Sequence, residues 1–170
     1  MNLLKSSSTF LILIFSFTFL IGQDAKITET DINNLIGEWE GSLTYLDYSS
    51  NKPYTMPCNA SISRTKKINQ LKVSYKYPQE PKANRKFKLK FSKDGTAVDK
   101  EKLTSRTTDA DGNIVLVIEK TGKDGNENKQ ALIRQSYTIS NQKFVVRKEV
   151  KFIGTTEWIL RNEYNFTKGS

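Results

Sequence analysis

The side chains that decide what chemistry this sequence can support are a few polar residues spaced two apart within apolar runs, its tyrosines, and the histidine it lacks. With no histidine among 170 residues, no Ser-His-Asp or Cys-His nucleophile can be assembled. No imidazole is present to act as a general base near neutral pH, and histidine-ligated zinc or haem is excluded. Acid–base work would fall to carboxylates, tyrosines or lysines. Glu40, Glu149 and Glu163 all have the parity of outward-facing residues, and no pair of carboxylates shares an inward face. Asp109-Ala-Asp111-Gly112-Asn113 begins like a calcium loop, but Ile114 and Lys120 stand where an EF-hand needs its glycine and its glutamate, so it reads as a hairpin turn. The expectation is a protein that is not an enzyme and uses no cofactor or metal.

The elements that would position the polar residues are strands. From Gly37 onward the hydrophobic period is two: Trp39, Gly41, Leu43 and Tyr45 lie opposite Glu38, Glu40, Ser42 and Thr44. Similar alternation covers Met56–Arg64, Leu71–Tyr77, Arg85–Phe91, Lys102–Thr108, Ile114–Glu119, Ala131–Ile139, Phe144–Ile153 and Glu157–Thr167, joined mostly by short Asp-Gly or Asn-containing turns. Residues 28–36 read as a short helix that Thr28 or Thr30 caps and Gly37 ends. Eight to ten strands in meander order predict an all-β fold, a single up-and-down antiparallel barrel preceded by a short N-terminal helix. Its main rival, a two-sheet sandwich, would need longer crossing connections. Inward parity gathers Leu43, Tyr45, Ile62, Val73, Tyr75, Phe87, Leu89, Leu116, Ile133, Tyr137, Val146, Leu160 and Tyr164, with the polar residues Arg64, Gln135, Lys148 and Asn162 among them. Polar groups at buried parity need partners. They would find them in one another, in water or in a ligand's polar head, and Arg64, whose fork grips a carboxylate in two places, is the best candidate for an anionic head.

The first residues read as a signal peptide over 1–22: Lys5, an apolar run from Phe10 to Ile21, and the small Gly22 near a cleavage point. A run of about a dozen suits a leader better than a membrane span. Residues 23–170 then form one secreted domain, periplasmic or extracellular, large enough to need no disulfide. The single Cys58 agrees, and a small buried side chain is the expected role. The net charge of +9 is scattered. Lys86, Lys88 and Lys90 alternate with Phe87, Leu89 and Phe91, as on the solvated face of a strand, so neither nucleic acid nor a membrane span is expected.

Gly37-x-Trp39 at the head of a meander of hairpins resembles the opening of a calycin barrel, the superfamily of lipocalins and fatty-acid-binding proteins. The resemblance implies a container: a glycine at the turn into the first strand, and a tryptophan plugging the closed end. It also implies an arginine near the chain's end stacked over that tryptophan. Arg161 lies in that part of the chain, although its parity groups it with Ile159 and Glu163. The Thr-Asp-Tyr motif of lipocalins and the Arg-x-Tyr of fatty-acid-binding proteins are absent. The expectation is a monomeric carrier for a small hydrophobic or amphipathic molecule, such as an anionic lipid, held by Tyr45, Arg64, Tyr75, Gln135, Tyr137, Asn162 and Tyr164, with Gly37 and Trp39 structural. The alternative is a secreted interaction module with a filled barrel that binds a protein or an acidic glycan through its loops and basic exterior.

Overall fold

The computed structural model describes residues 25–47 and 49–169; the leader expected over residues 1–22 lies outside them. Helix α1 (Glu29–Asn34) starts where Thr28 caps it. The Thr28 hydroxyl accepts from the Asp31 amide at 3.2 Å, and the Asp31 carboxylate accepts from the Thr28 amide at 2.9 Å, which satisfies two donors that a helix start leaves open. Six residues are too few to be helical alone. Ile32 and Leu35 anchor the helix in the core, and two arginines tie it to the strands. Arg106 grips the buried Asp31 through Nε and Nη2, both at 3.1 Å, while Arg64 binds Glu29 and Asn33.

The strands are β1 (Gly37–Asp47), β2 (Lys52–Pro57), β3 (Asn59–Arg64), β4 (Gln70–Lys76), β5 (Arg85–Lys90), the two-residue β6 (Ala97–Val98) and β7 (Glu101–Lys102), β8 (Ser105–Thr108), β9 (Ile114–Asp124), β10 (Lys129–Ile139), β11 (Lys143–Phe152) and β12 (Ile159–Lys168). β2 and β3 continue one register along β1, Ser42 opposite Pro57 and Trp39 opposite Ala60. Cys58, fully buried between them, donates its amide to the Gly41 carbonyl at 2.9 Å. β12 returns to pair with β1, so the sheet runs β5-β4-β3-β1-β12-β11-β10-β9-β8, antiparallel throughout. The all-β meander is therefore present, curled like a barrel.

The expected closed ring is not. β5 and β8 are edges with no ladder between them. The chain from Ser92 to Thr104 turns at Gly95 and again at Asp99–Lys100, both at positive φ (48° and 74°), so it folds onto itself instead of feeding a full-length strand. The region expected as one strand over Lys102–Thr108 is split, and the β6–β7 hairpin bridges the seam at one end only. There Phe91 pairs with Val98, the Asp99 amide donates to the Lys90 carbonyl at 2.8 Å, and the Thr104 amide donates to the Val117 carbonyl at 2.7 Å.

Register stacks the interior in rungs. Ile139, Phe144 and Phe166 form the rung nearest α1, Tyr137, Val146, Tyr164 and Leu43 the next, and Gln135, Lys148, Asn162 and Tyr45 the third. Trp39, 1% exposed, closes the end: its indole N–H donates to the Leu35 carbonyl at 2.9 Å and its ring lies 5.8 Å from Phe144. The cation over that ring is Lys168, with Nζ 4.3 Å from the ring centre and donating to the Ile36 carbonyl. Burial pulls the Lys168 ammonium below the usual lysine range. Gly37 sits at φ 137°, and a Cβ there would meet Lys168 Nζ at 2.8 Å. Its role is thus to admit this lysine.

Arg161 does not reach Trp39: Trp39 faces Lys168, while Arg161 lies beyond Asn162 at the other end of β12. What buries it there is a local irregularity, since β12 carries one residue more than β11 at this point. Lys148 faces Asn162, but Glu149 faces Leu160. This bulge inverts the alternation beyond Asn162. Arg161, expected outside, is buried, and Leu160, expected inside, is 39% exposed. Trp158 likewise packs under the outward Arg134, whose Cζ is 3.9 Å from its ring centre. Emptying the plug should be costly: Trp39→Ala is expected to lower stability by about 3–5 kcal/mol. Lys168→Met, which keeps the apolar stem, should cost about 1 kcal/mol. Urea unfolding midpoints of the two variants check the order.

Candidate functional site

The rungs enclose a cavity of about 310 Å³, lined from one side by Val73, Tyr75, Arg85, Phe87 and Leu89 of β4 and β5. From the other side it is lined by Gln135, Tyr137, Phe144, Val146, Lys148, Asn162 and Tyr164 of β10–β12, with Asp99 at the rim. Alternation builds this lining, since residues two apart on neighbouring strands present one face. Five of the seven residues expected to meet a ligand come together here: Tyr75, Gln135, Tyr137, Asn162 and Tyr164. Tyr45 shares the Asn162 rung but lies outside the lining, its ring 5.6 Å from that of Tyr54. Arg64 is remote from the cavity. It stands at the helix-capped end, donating to the Ile68 carbonyl at 2.8 Å and to Asn33 at 2.6 Å, so its guanidinium serves α1.

Among the described residues, no protein hydrogen bond engages the hydroxyls of Tyr75 and Tyr137 or the amides of Gln135 and Asn162. None of these atoms is sealed off either, because no buried side-chain nitrogen or oxygen lacks a partner. They open onto the lumen. Burial raises the Tyr75 and Tyr137 hydroxyls well above the usual tyrosine range, and the Asp99 carboxylate adds to the effect on Tyr137. Both therefore stay neutral and able to donate at any physiological pH. Burial likewise raises the Tyr77 hydroxyl, 3.2 Å from the Tyr164 hydroxyl, and pushes the Cys58 thiol to about 11, which suits an inert packing role.

Arg85 was not among the expected residues. It opens the Arg85–Phe91 alternation at the parity of Phe87 and Leu89, the signal by which the sequence could have revealed it. Its guanidinium sits 5.2 Å from the Tyr75 ring centre, 5.4 Å from Phe87 and 5.7 Å from Tyr164. One of its five N–H groups is bound, Nη2 to the Tyr164 hydroxyl at 2.8 Å. The rest remain available to a ligand oxygen.

Lys148 is placed differently. Its ammonium is 2.7 Å from the Asp124 carboxylate, whose other oxygen accepts from Arg161 Nε at 2.7 Å. Burial works against ionising Asp124, but the hydrogen bonds from Lys148 and Arg161 outweigh it and hold the carboxyl below its usual range. A carboxyl with a lowered native pKa stabilises the fold above the unfolded value, near pH 4, and that contribution is lost as pH falls below it. Asp124→Asn should lower stability at pH 7 by about 3 kcal/mol, since it breaks a buried ion cluster. It should also flatten the acid limb of the stability curve, measured by urea unfolding between pH 7 and pH 3.

No family model and no curated protein matches the sequence. Among solved structures the chain is similar to the crystal structure of Rv2717c from M. tuberculosis, with a TM-score of 0.52 and 12% identity, over 82% of this chain and 95% of that one. At that identity the likeness concerns the fold alone, a curled barrel-like β-sheet.

Proposed function

We propose that the protein is a secreted, calycin-like carrier that holds one small hydrophobic or amphipathic molecule in the lumen of its curled sheet, and that it is not an enzyme. One observation carries this reading. Four unengaged polar side chains and the Arg85 guanidinium converge on a cavity whose other walls, apart from the paired Lys148 and Asp99 at the rim, are apolar and aromatic. Leaving such groups unpaired around a dry core costs about 1–3 kcal/mol each, whereas a few polar groups in an apolar hollow are what orient a bound small molecule. At interior packing density a volume of about 310 Å³ takes a molecule on the order of a dozen non-hydrogen atoms. The apolar part belongs against Phe144, Val146 and Leu89, and the polar end beside Arg85, Gln135 and Asn162. Arg85 thus takes the headgroup role that the sequence had suggested for Arg64. No helix among the described residues is long and apolar enough to cross a membrane.

Native mass spectrometry of the purified chain and titration with an anionic lipophilic dye test the proposal. Stoichiometric dye uptake is expected, lost on Val146→Trp, which fills the lumen. Uptake should weaken about tenfold on Arg85→Ala, the scale of one charge-assisted contact. Dye uptake unaffected by Val146→Trp, or none at all, would reject a luminal site.

A further inference from the structure

The outer surface of the sheet divides by charge. On β9–β12 several basic residues are matched by acids: Arg134 pairs with Glu119 at 2.7 Å, Arg147 with Glu163, and Lys120 with Glu101 of β7 at 2.6 Å, whereas Lys123, Lys143 and Lys151 have no ion pair among the described residues. On β4 and β5 no basic residue is matched in this way. Lys72 stands opposite Lys88, Ser74 opposite Lys86 and Gln70 opposite Lys90, with Lys76 at the end of the same row. All five lysines are exposed, and none has an ion pair or hydrogen bond from its ammonium to any described residue. The neighbouring outward positions on β3 are Asn59, Ser61 and Ser63, so the nearest outward carboxylates in the sheet, Glu38 and Glu40, are two strands from β4. Strands lie about 4.8 Å apart and same-face residues about 6.7 Å apart along a strand, which makes this a flat cationic lattice. Lysines that merely protected an open edge from strand pairing would be confined to β5. Here Lys72 and Lys76 lie one strand in, and the other edge, β8, carries no lysine.

From this segregation we infer that the outer face of β3–β5 is a docking surface for a linear acidic polysaccharide, independent of the luminal site. Concentrated like charge raises the local potential and attracts a polyanion. An acidic glycan, with an anionic group repeating along an extended chain and hydroxyls between, complements rows of lysine flanked by serine. The face carries no aromatic side chain on which the bases of a single-stranded nucleic acid would stack. The exposed large apolar residues Tyr54 and Leu160 lie on other strands, Ile153 in the turn after β11 and Ile68 in the β3–β4 turn, so nothing on the face would enter a bilayer.

The test uses the chain without residues 1–22 and low-molecular-weight heparin and alginate as probes, by calorimetry at 50 and 300 mM salt. Binding is expected at the lower salt and strongly weakened at the higher. Lys72→Glu/Lys88→Glu should lower the affinity at least about tenfold. Lys123→Glu/Lys129→Glu, with the same change in net charge on the β9–β10 hairpin, should lower it less than about threefold. Both charge-reversed variants should unfold in urea at the parent's midpoint, which certifies the fold without recourse to the luminal site. Lys72→Gln/Lys88→Gln should reproduce the loss if the reversal proves unstable. Equal losses in the two charge-reversed proteins, no binding at the lower salt, or tighter binding to phosphatidylserine vesicles or oligo-dT would overturn the inference. None of these outcomes bears on the cavity.

Discussion

The ladder between the first and last strands carries the architecture. It runs from Trp39–Lys168 to Tyr45–Asn162 and joins the two ends of the meander, whereas the other ladders of the sheet join strands that follow one another or, for β1 and β3, are separated only by the short β2. Three things meet at its lower end: the indole donating to Leu35, the ammonium of Lys168 above the ring and bound to Ile36, and Gly37 leaving room for that lysine. The carbonyls of Leu35 and Ile36 end the α1 segment and would otherwise face the apolar interior unsatisfied. One tryptophan and one lysine thus satisfy the end of the helix, fill the base of the lumen and fix the register of β12 against β1. This ladder also lets residues 117 to 129 positions apart share an interior.

The rest of the interior follows from that register. Rungs near the plug contain Phe144, Phe166 and Ile139, and rungs further away contain tyrosine, then amide and ammonium groups. The lumen therefore grades from apolar to polar along one axis, the gradient on which the proposed carrier role draws. The open seam fits the same reading. A fully hydrogen-bonded ring would wall the lumen on all sides, whereas the gap between β5 and β8 leaves Arg85 and Asp99 at a rim where a solute can pass.

The sequence made the strands, their order and most of the lining legible, because alternation is a local signal and a meander needs only short turns. Tyr75, Gln135, Tyr137, Asn162 and Tyr164 were recovered by parity alone. Parity failed where counting from a strand's end failed. The bulge at Arg161 inserts one residue, so Arg161 turns inward and Leu160 outward, and no residue type in Ile159–Asn162 announces it. Arg64 was misplaced for another reason: its parity is inward, but it lies at the strand's end, where α1 rather than the lumen is its neighbour. The open seam rests on positive φ at Asp99 and Lys100, neither a glycine, so the composition of that turn hides it. Lys168 takes the place over Trp39 that the calycin resemblance gives to an arginine, since a lysine is equally a cation with an apolar stem.

Two cations at the lumen, Lys148 and Arg85, show how compensation separates structural from available charge. The Lys148 ammonium shares Asp124 with Arg161, and the carboxylate's two oxygens are divided between the two bases. The cost of burying that charge is already met within the protein, and a ligand would have to compete with a fixed acid. Among the described residues, Arg85 has no carboxylate partner. What holds it is the faces of three rings and one tyrosine hydroxyl, which stabilise the cation's position while leaving most of its donors unbound. A guanidinium suits this arrangement because it is planar and more weakly hydrated than an ammonium. The aromatic residues at the rim therefore do two things at once: they wall the lumen and keep one cation oriented without neutralising it.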